Sequence, residues 1–245
     1  VDCIDVEAAE RLGIQVTNAA DANSGSVAEF TLGLILSLAK KLPQSRDGLR
    51  KEGWSIRPQI STFDLEGKTL GVLGMGRIGT AVARKASYGF GMKVLGYRRN
   101  LPGDICADYG ILTSDLDKVI RNSDFLSIHL PYTKDTFHLV SREKLELMKP
   151  DAYLLNLGRG EVVDQAALRE LLLSNRLAGA ALDVFEDEPN VNPDLLNLDN
   201  VTLTPHIASL TMKARLGMCR EALAGITGVL KGEKPYNVVN PETLK

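Results

Sequence analysis

Thr69-Leu70-Gly71-Val72-Leu73-Gly74-Met75-Gly76-Arg77-Ile78-Gly79 is the stretch whose reading decides the fold. An apolar run leads straight into G-x-G-x-x-G, and a helix-like run, Thr80-Ala81-Val82-Ala83-Arg84-Lys85-Ala86, follows. Strand, glycine turn and helix, in that order, make a dinucleotide-binding βαβ unit. Gly74 allows the tight turn out of the strand. Gly76 lets the backbone approach a pyrophosphate with no Cβ in the way, and Gly79 lets the helix pack close to the sheet. The helix N-terminus then offers free N–H groups and a partial positive charge to the phosphates. Glycines alone would equally mark a structural turn; the strand before and the helix after favour the nucleotide.

Outward from this unit, short apolar runs alternate with helical patterns. Strands are expected at 69–74, 93–97, 125–130, 152–157, 179–184 and 201–204, and helices near 77–88, 114–121, 141–148 and 164–174. Near-continuous apolar runs are the signature of strands buried on both faces, so the expected fold class is α/β with a doubly wound parallel sheet and right-handed crossovers. The flanks read differently. A small helix at 6–12 precedes a short strand at 13–18. A long helix is expected at 24–42, apolar at Val27, Leu32, Leu34, Ile35 and Leu38. Pro43 marks a kink or a new helix start, with helix continuing to Glu52; 53–63 reads as a loop, 211–231 as helix and 237–241 as a tail. The expected dinucleotide domain is 54–206. Residues 1–23 and 207–245 form a second domain visited twice, with the helices of 24–53 between.

Length and composition bound the reading. The 245 residues carry 29 Lys and Arg against 31 Asp and Glu, a net charge of −2, and are 44% hydrophobic. That is an ordinary globular composition, with nothing to attract nucleic acid or an anionic membrane. The longest apolar candidate, 30–39, is too short for a membrane span. The first residues lack the basic and apolar regions of a signal peptide, and there is no initiator Met, so a processed or trimmed form is expected. Cys3, Cys106 and Cys219 are odd in number and widely spaced. They read as free thiols in the cytoplasm, forming neither a disulfide frame nor a metal site.

Three signals fall at or just after the ends of late strands, the edge where open α/β sheets bind ligands. In Leu155-Asn156-Leu157-Gly158-Arg159-Gly160, an Arg between glycines is either a carboxylate clamp or an ordinary surface-turn residue. In Asp183-Val184-Phe185-Glu186-Asp187-Glu188-Pro189, four acids in six positions could be a solvated loop, but Asp183 directly follows an apolar strand. Pro189 restricts Glu188 to extended conformations. In Leu203-Thr204-Pro205-His206-Ile207-Ala208-Ser209, one of only three His follows a strand and a Pro. A lone His is more often structural; here the same edge offers Arg, Glu and a dinucleotide as well. A carboxylate beside an imidazole favours its protonated form, as a proton donor requires.

On these residues the chain resembles the D-isomer-specific 2-hydroxyacid dehydrogenases, the family that includes D-lactate dehydrogenase, glyoxylate/hydroxypyruvate reductase and phosphoglycerate dehydrogenase. The matching stretches are 5–18, Ser26-Val27-Ala28-Glu29, 71–79, His129-Leu130-Pro131, 156–164, 183–189 and 204–209, in order and over nearly the whole chain. The resemblance implies a Rossmann domain joined to a partial second, flavodoxin-like substrate domain. It implies that Arg159 holds the substrate carboxylate and carbonyl, that His206 is the acid/base and that Glu188 is its carboxylate partner. Asp183 is implied to bond the nicotinamide carboxamide, and the backbone N–H groups of Arg77 and Ile78 the pyrophosphate. Thr136, Leu157 and Ser209 match further cofactor-lining positions. The helix at 24–42 is implied to be a dimer helix, giving a homodimer.

Two departures qualify this. An acid normally ends the second strand, about 20 residues past the glycines, to hold the ribose 2′-OH. Here Arg98 and Arg99 stand there, which points to NADP(H), with NAD possible. Arg98 stacked on adenine, or both arginines solvated, are the alternatives. Second, the family's smaller domain begins well upstream of the position matching Val1, so a fragment of a longer protein is expected. The expected activity is reduction of a small, glyoxylate- or hydroxypyruvate-like 2-keto acid. The rival readings are a non-enzymatic dinucleotide sensor and a phosphoglycerate dehydrogenase.

Overall fold

The computed structural model describes residues 4–19, 21–99 and 112–243. The chain divides into two compact units, one of Val27–Ala208 and one of Val1–Ser26 with Ser209–Lys245.

Among the described residues, the larger unit is built on seven parallel strands: β1 (Thr69–Leu73), β2 (Lys93–Tyr97), β3 (Leu112–Thr113), β4 (Phe125–Ile128), β5 (Tyr153–Asn156), β6 (Gly179–Leu182) and β7 (Val201–Leu203). Their order is β3-β2-β1-β4-β5-β6-β7, all parallel. The direction of winding reverses between β1 and β4, and there the loops diverge to leave a crevice at the carboxyl edge. Successive strand side chains alternate between two cores. Leu70, Val72, Phe125, Leu155 and Ala181 pack with α2 (Ser24–Ala39) and α4 (Arg77–Phe90). Leu73, Leu126, Ile128, Leu154 and Leu182 pack with α5 (Leu116–Asn122), α6 (Arg142–Leu145) and α7 (Gln165–Leu173). Both faces are therefore covered, which is why the strands read as unbroken apolar runs.

Several expected elements differ. The long helix stops at Ala39; Lys41 takes φ +47°, and Pro43 sits in the first turn of a separate α3 (Leu42–Glu52). Proline lacks the N–H that a continuing helix needs, but the first helical turn leaves that donor unpaired anyway. Residues Gly53–Gln59 form a 3-10 helix where a loop was expected. β3, two residues long, and α8 (Pro193–Leu196) have no expected counterpart. The apolar surface of α2 is buried in its own chain: Val27, Leu32, Leu34, Ile35 and Leu38 all lie in the first core.

The smaller unit contains α1 (Val6–Arg11) and α9 (Met212–Leu230). The expected strand at 13–18 is reduced to a single antiparallel bridge, Thr17 to Val238. Two buried asparagines stitch the segments instead. Asn240 accepts from the Val16 N–H (2.8 Å) and donates to the Ile14 carbonyl (2.9 Å), and Asn237 donates to the Asn18 carbonyl (2.6 Å). The expected tail is therefore a clasp. Cys219 is an exposed free thiol; Cys3 and Cys106 lie outside the described residues. Among the described residues no helix is long and apolar enough to cross a membrane.

Candidate active site

The acid-rich run after β6 is not a solvated loop. Asp183, 1% exposed, ends the strand, and its carboxylate gathers the turn that follows β7. Oδ1 accepts from the Thr204 hydroxyl (2.6 Å) and the Ile207 N–H (2.9 Å), and Oδ2 from the Ala208 N–H (3.0 Å). The Asp183 carbonyl accepts from the His206 N–H at 2.9 Å. The turn so held places His206 at φ +52°, a left-handed conformation that costs a side-chain-bearing residue about 1 kcal/mol.

Glu188 faces this histidine. Its Oε2 lies 2.8 Å from His206 Nδ1, and its Oε1 accepts from the Phe185 N–H at 3.0 Å. A carboxylate only accepts, so His206 presents Nδ1–H to Glu188. Both side chains remain partly open, 45% and 37% exposed, so the pair is reachable from solution. The other two acids are also engaged: Glu186 pairs with His138 Nε2, and Asp187 accepts from the Asn190 side chain. The Glu188–Pro189 bond is cis.

Arg159 leaves β5 in an extended conformation and is half-buried. Buried Asn156 pins its loop: Oδ1 accepts from the Gly158 N–H (3.1 Å) and Nδ2 donates to the Arg159 carbonyl (2.9 Å). Arg159 Nη1 donates to the Gly158 carbonyl at 2.8 Å. A Cβ on Gly160 would lie 2.0 Å from the Phe185 carbonyl carbon, so this loop presses directly on the one that carries Glu188. Arg159, Glu188 and His206 thus rise from three adjacent, mutually braced loops of one sheet edge.

The other half of that edge fits a dinucleotide. A cavity of about 700 Å³ is lined by Gly74, Met75 and Gly76, by Arg98 and Arg99, and by the loop 129–136. Gly74 turns out of β1 at φ +98°, and a Cβ on Gly79 would stand 2.1 Å from the Gly74 carbonyl oxygen. Space beside Gly76 is open to 4 Å. The N-cap Gly76 makes no side-chain capping bond among the described residues, and the first turn of α4, which carries the Arg77 and Ile78 amides, is the kind of helix start that accepts an anion. Thr136, 5% exposed, lines the cavity and braces its loop, donating to the Pro131 carbonyl at 2.7 Å. Leu157 is packed into the first core, and Ser209 belongs to the smaller unit.

The two arginines separate. Arg99 Nη1 is paired with Asp135 Oδ2 at 2.8 Å, while Arg98 is exposed with no ion pair among the described residues. Sequence reasoning missed Asp135, Asn156, Thr204 and the His138–Glu186 pair. Asn156 and Thr204 stand at or next to the ends of β5 and β7, the signal that could have flagged them; Asp135 and His138 lie well past β4, where no local pattern marks them.

Residues 32–208 match the sequence family described as D-isomer specific 2-hydroxyacid dehydrogenase, NAD binding domain. The chain belongs to that family. It is 43% identical over 241 residues to a D-3-phosphoglycerate dehydrogenase of Methanocaldococcus jannaschii, covering 98% of this chain and 46% of that one. It is 39% identical over 249 residues to a glyoxylate reductase of Thermococcus litoralis, covering 99% of this chain and 75% of that one. Among solved structures, an NADPH-dependent glyoxylate/hydroxypyruvate reductase of Sinorhizobium meliloti, in complex with NADP and malonate, superposes with a TM-score of 0.89. Identity there is 34%, over 99% of this chain and 75% of that one. The group that fits the cradle is a nicotinamide dinucleotide.

Proposed function

We propose that the protein reduces a small 2-keto acid of the glyoxylate or hydroxypyruvate kind to the D-2-hydroxy acid, with NADPH preferred over NADH. The observation that carries this reading is His206 Nδ1 held 2.8 Å from Glu188 Oε2 on the sheet edge that also presents Arg159. Bound nicotinamide supplies the hydride to C2 of the keto acid. Arg159 grips the substrate carboxylate with its planar fork and offsets charge building on the C2 oxygen. Glu188 keeps one imidazole proton on Nδ1, so His206 Nε2 delivers the other to that oxygen. Asp183 has three acceptor sites in use and a carboxylate offers about four, so one on Oδ2 remains for the carboxamide N–H. The Arg77 and Ile78 amides hold the pyrophosphate. Thr136 and Leu157 line the cofactor's path, and Arg98 with Arg99 meets a 2′-phosphate where a carboxylate would repel it.

Residues 1–23 and 207–245 serve as part of the substrate-binding domain. The protein acts in the cytoplasm, which fractionation checks, and as a homodimer, which sedimentation of the full-length protein checks. Phosphoglycerate oxidation is the second reading, favoured by the 43% identity to the Methanocaldococcus protein. Turnover of D-3-phosphoglycerate with NAD would select it.

The catalytic assignment is tested by His206→Gln and Arg159→Ala. Each is expected to lower kcat by about 10²-fold or more, with NADPH still bound in a fluorescence titration. A kcat near that of the unmodified protein in either variant contradicts the assignment.

A further inference from the structure

The arginine pair at the end of β2 carries its own anion. Arg98 and Arg99 line one wall of the nucleotide cavity, and Asp135 lines the facing loop. Asp135 is not on a loosely hung segment. The Thr133 N–H donates to Thr136 Oγ1 at 2.7 Å, Thr136 Oγ1 donates to the Pro131 carbonyl at 2.7 Å, and the Phe137 N–H donates to the Thr133 carbonyl at 3.0 Å. The turn therefore fixes the backbone that carries Asp135, whose carboxylate lies 2.8 Å from Arg99 Nη1.

We propose that Asp135 is a built-in competitor for the cofactor's 2′-phosphate, a specificity-determining residue that damps the preference of this pocket for NADP(H) over NAD(H). The inference rests on the reading of this cavity as the site of the cofactor's adenosine end. Two guanidiniums and one carboxylate leave one net positive charge facing the ribose, where the arginines alone would give two. A 2′-phosphate must displace the carboxylate from Arg99 and then remain beside it as a like charge. The ribose 2′-OH of NAD(H) meets neither penalty. The exchange is feasible because the pair is exposed, with side chains 55% and 72% accessible. Such pairs hold weakly, so the damping is moderate and does not amount to exclusion.

The test uses two probes that differ only in the 2′-phosphate, adenosine 2′,5′-bisphosphate and 5′-AMP, titrated calorimetrically into the full-length protein. Asp135 is a surface residue, so Asp135→Asn keeps the fold. In that variant the affinity ratio of bisphosphate to AMP is expected to rise about three- to tenfold at low salt, and to rise less at about 0.5 M salt. In an Arg99→Gln background the same substitution is expected to leave the ratio nearly unchanged, because there is no guanidinium to release. An unchanged ratio in Asp135→Asn overturns the proposal. So does an equal rise in the Arg99→Gln background, which would make the effect one of bulk charge. The NADPH reading is judged separately, by the unmodified protein's own ratio: a value near one removes that reading while leaving the effect of Asp135 to be decided by the variants.

Discussion

His129 follows β4 directly and has no role in the proposed reaction. Its Nε2 lies 2.8 Å from Ser127 Oγ, while Nδ1 is buried with no partner among the described residues. Burial lowers its pKa from 6.5 to about 4. An unfolded chain takes up this proton near pH 6.5 and the folded one only near pH 4, so stability is intact above 6.5 and drains away as pH falls between the two values. The full loss is at most about 3 kcal/mol. His129→Gln is expected to flatten that limb; urea unfolding at neutral pH and in the middle of the window checks it, and an identical drop in both proteins contradicts it. At this scale the sequence was legible where a residue's position follows from a strand end. Arg159 and His206 were placed on one sheet edge that way, and Glu188 was singled out by the proline that follows it. Asp183 was found too, but its hold on the His206 turn needs partners 21 to 25 positions away. The Arg99–Asp135 pair spans 36 positions and two loops, so no local pattern announces it.

At the scale of elements, six of the seven strands were legible because each is long enough to show an apolar run. β3, of two exposed residues, is not. The break at Lys41 hides in a charged pair that periodicity does not register, although Pro43 flags it. α9 carries an unusual division of labour. Its buried positions are the small residues Ala214, Gly225 and Gly228. Met212, Leu216, Leu223, Ile226 and Leu230 are exposed, from 49% to 81%. Their spacing of three, four and seven places them in one stripe down the helix. An apolar stripe left to water promotes association. Leu223→Gln with Ile226→Gln is expected to lower light scattering of this chain at high concentration while Tm changes by less than about 2 °C. A fall in Tm of several degrees would show that these side chains are packed inside the folded chain.

For the molecule as a whole, the parallel sheet, its reversal of winding between β1 and β4 and the cradle above them follow from G-x-G-x-x-G set between a strand and a helix. Arg159, Glu188 and His206 stand on the same edge because β5, β6 and β7 continue the sheet on one side of that reversal. Alternation of strands and helices made this architecture legible. The clasp of the smaller unit was not, since Asn237 and Asn240 reach residues more than two hundred positions away. The central claim is hydride transfer to a small 2-keto acid on this edge. The most direct measurement is the initial rate of NADPH and NADH oxidation by the full-length protein with glyoxylate, hydroxypyruvate, pyruvate and a bulkier 2-keto acid. The account predicts rapid oxidation with glyoxylate or hydroxypyruvate and a higher kcat/KM for NADPH. Tight NADPH binding with no turnover on any of the four would contradict it and point to a dinucleotide sensor.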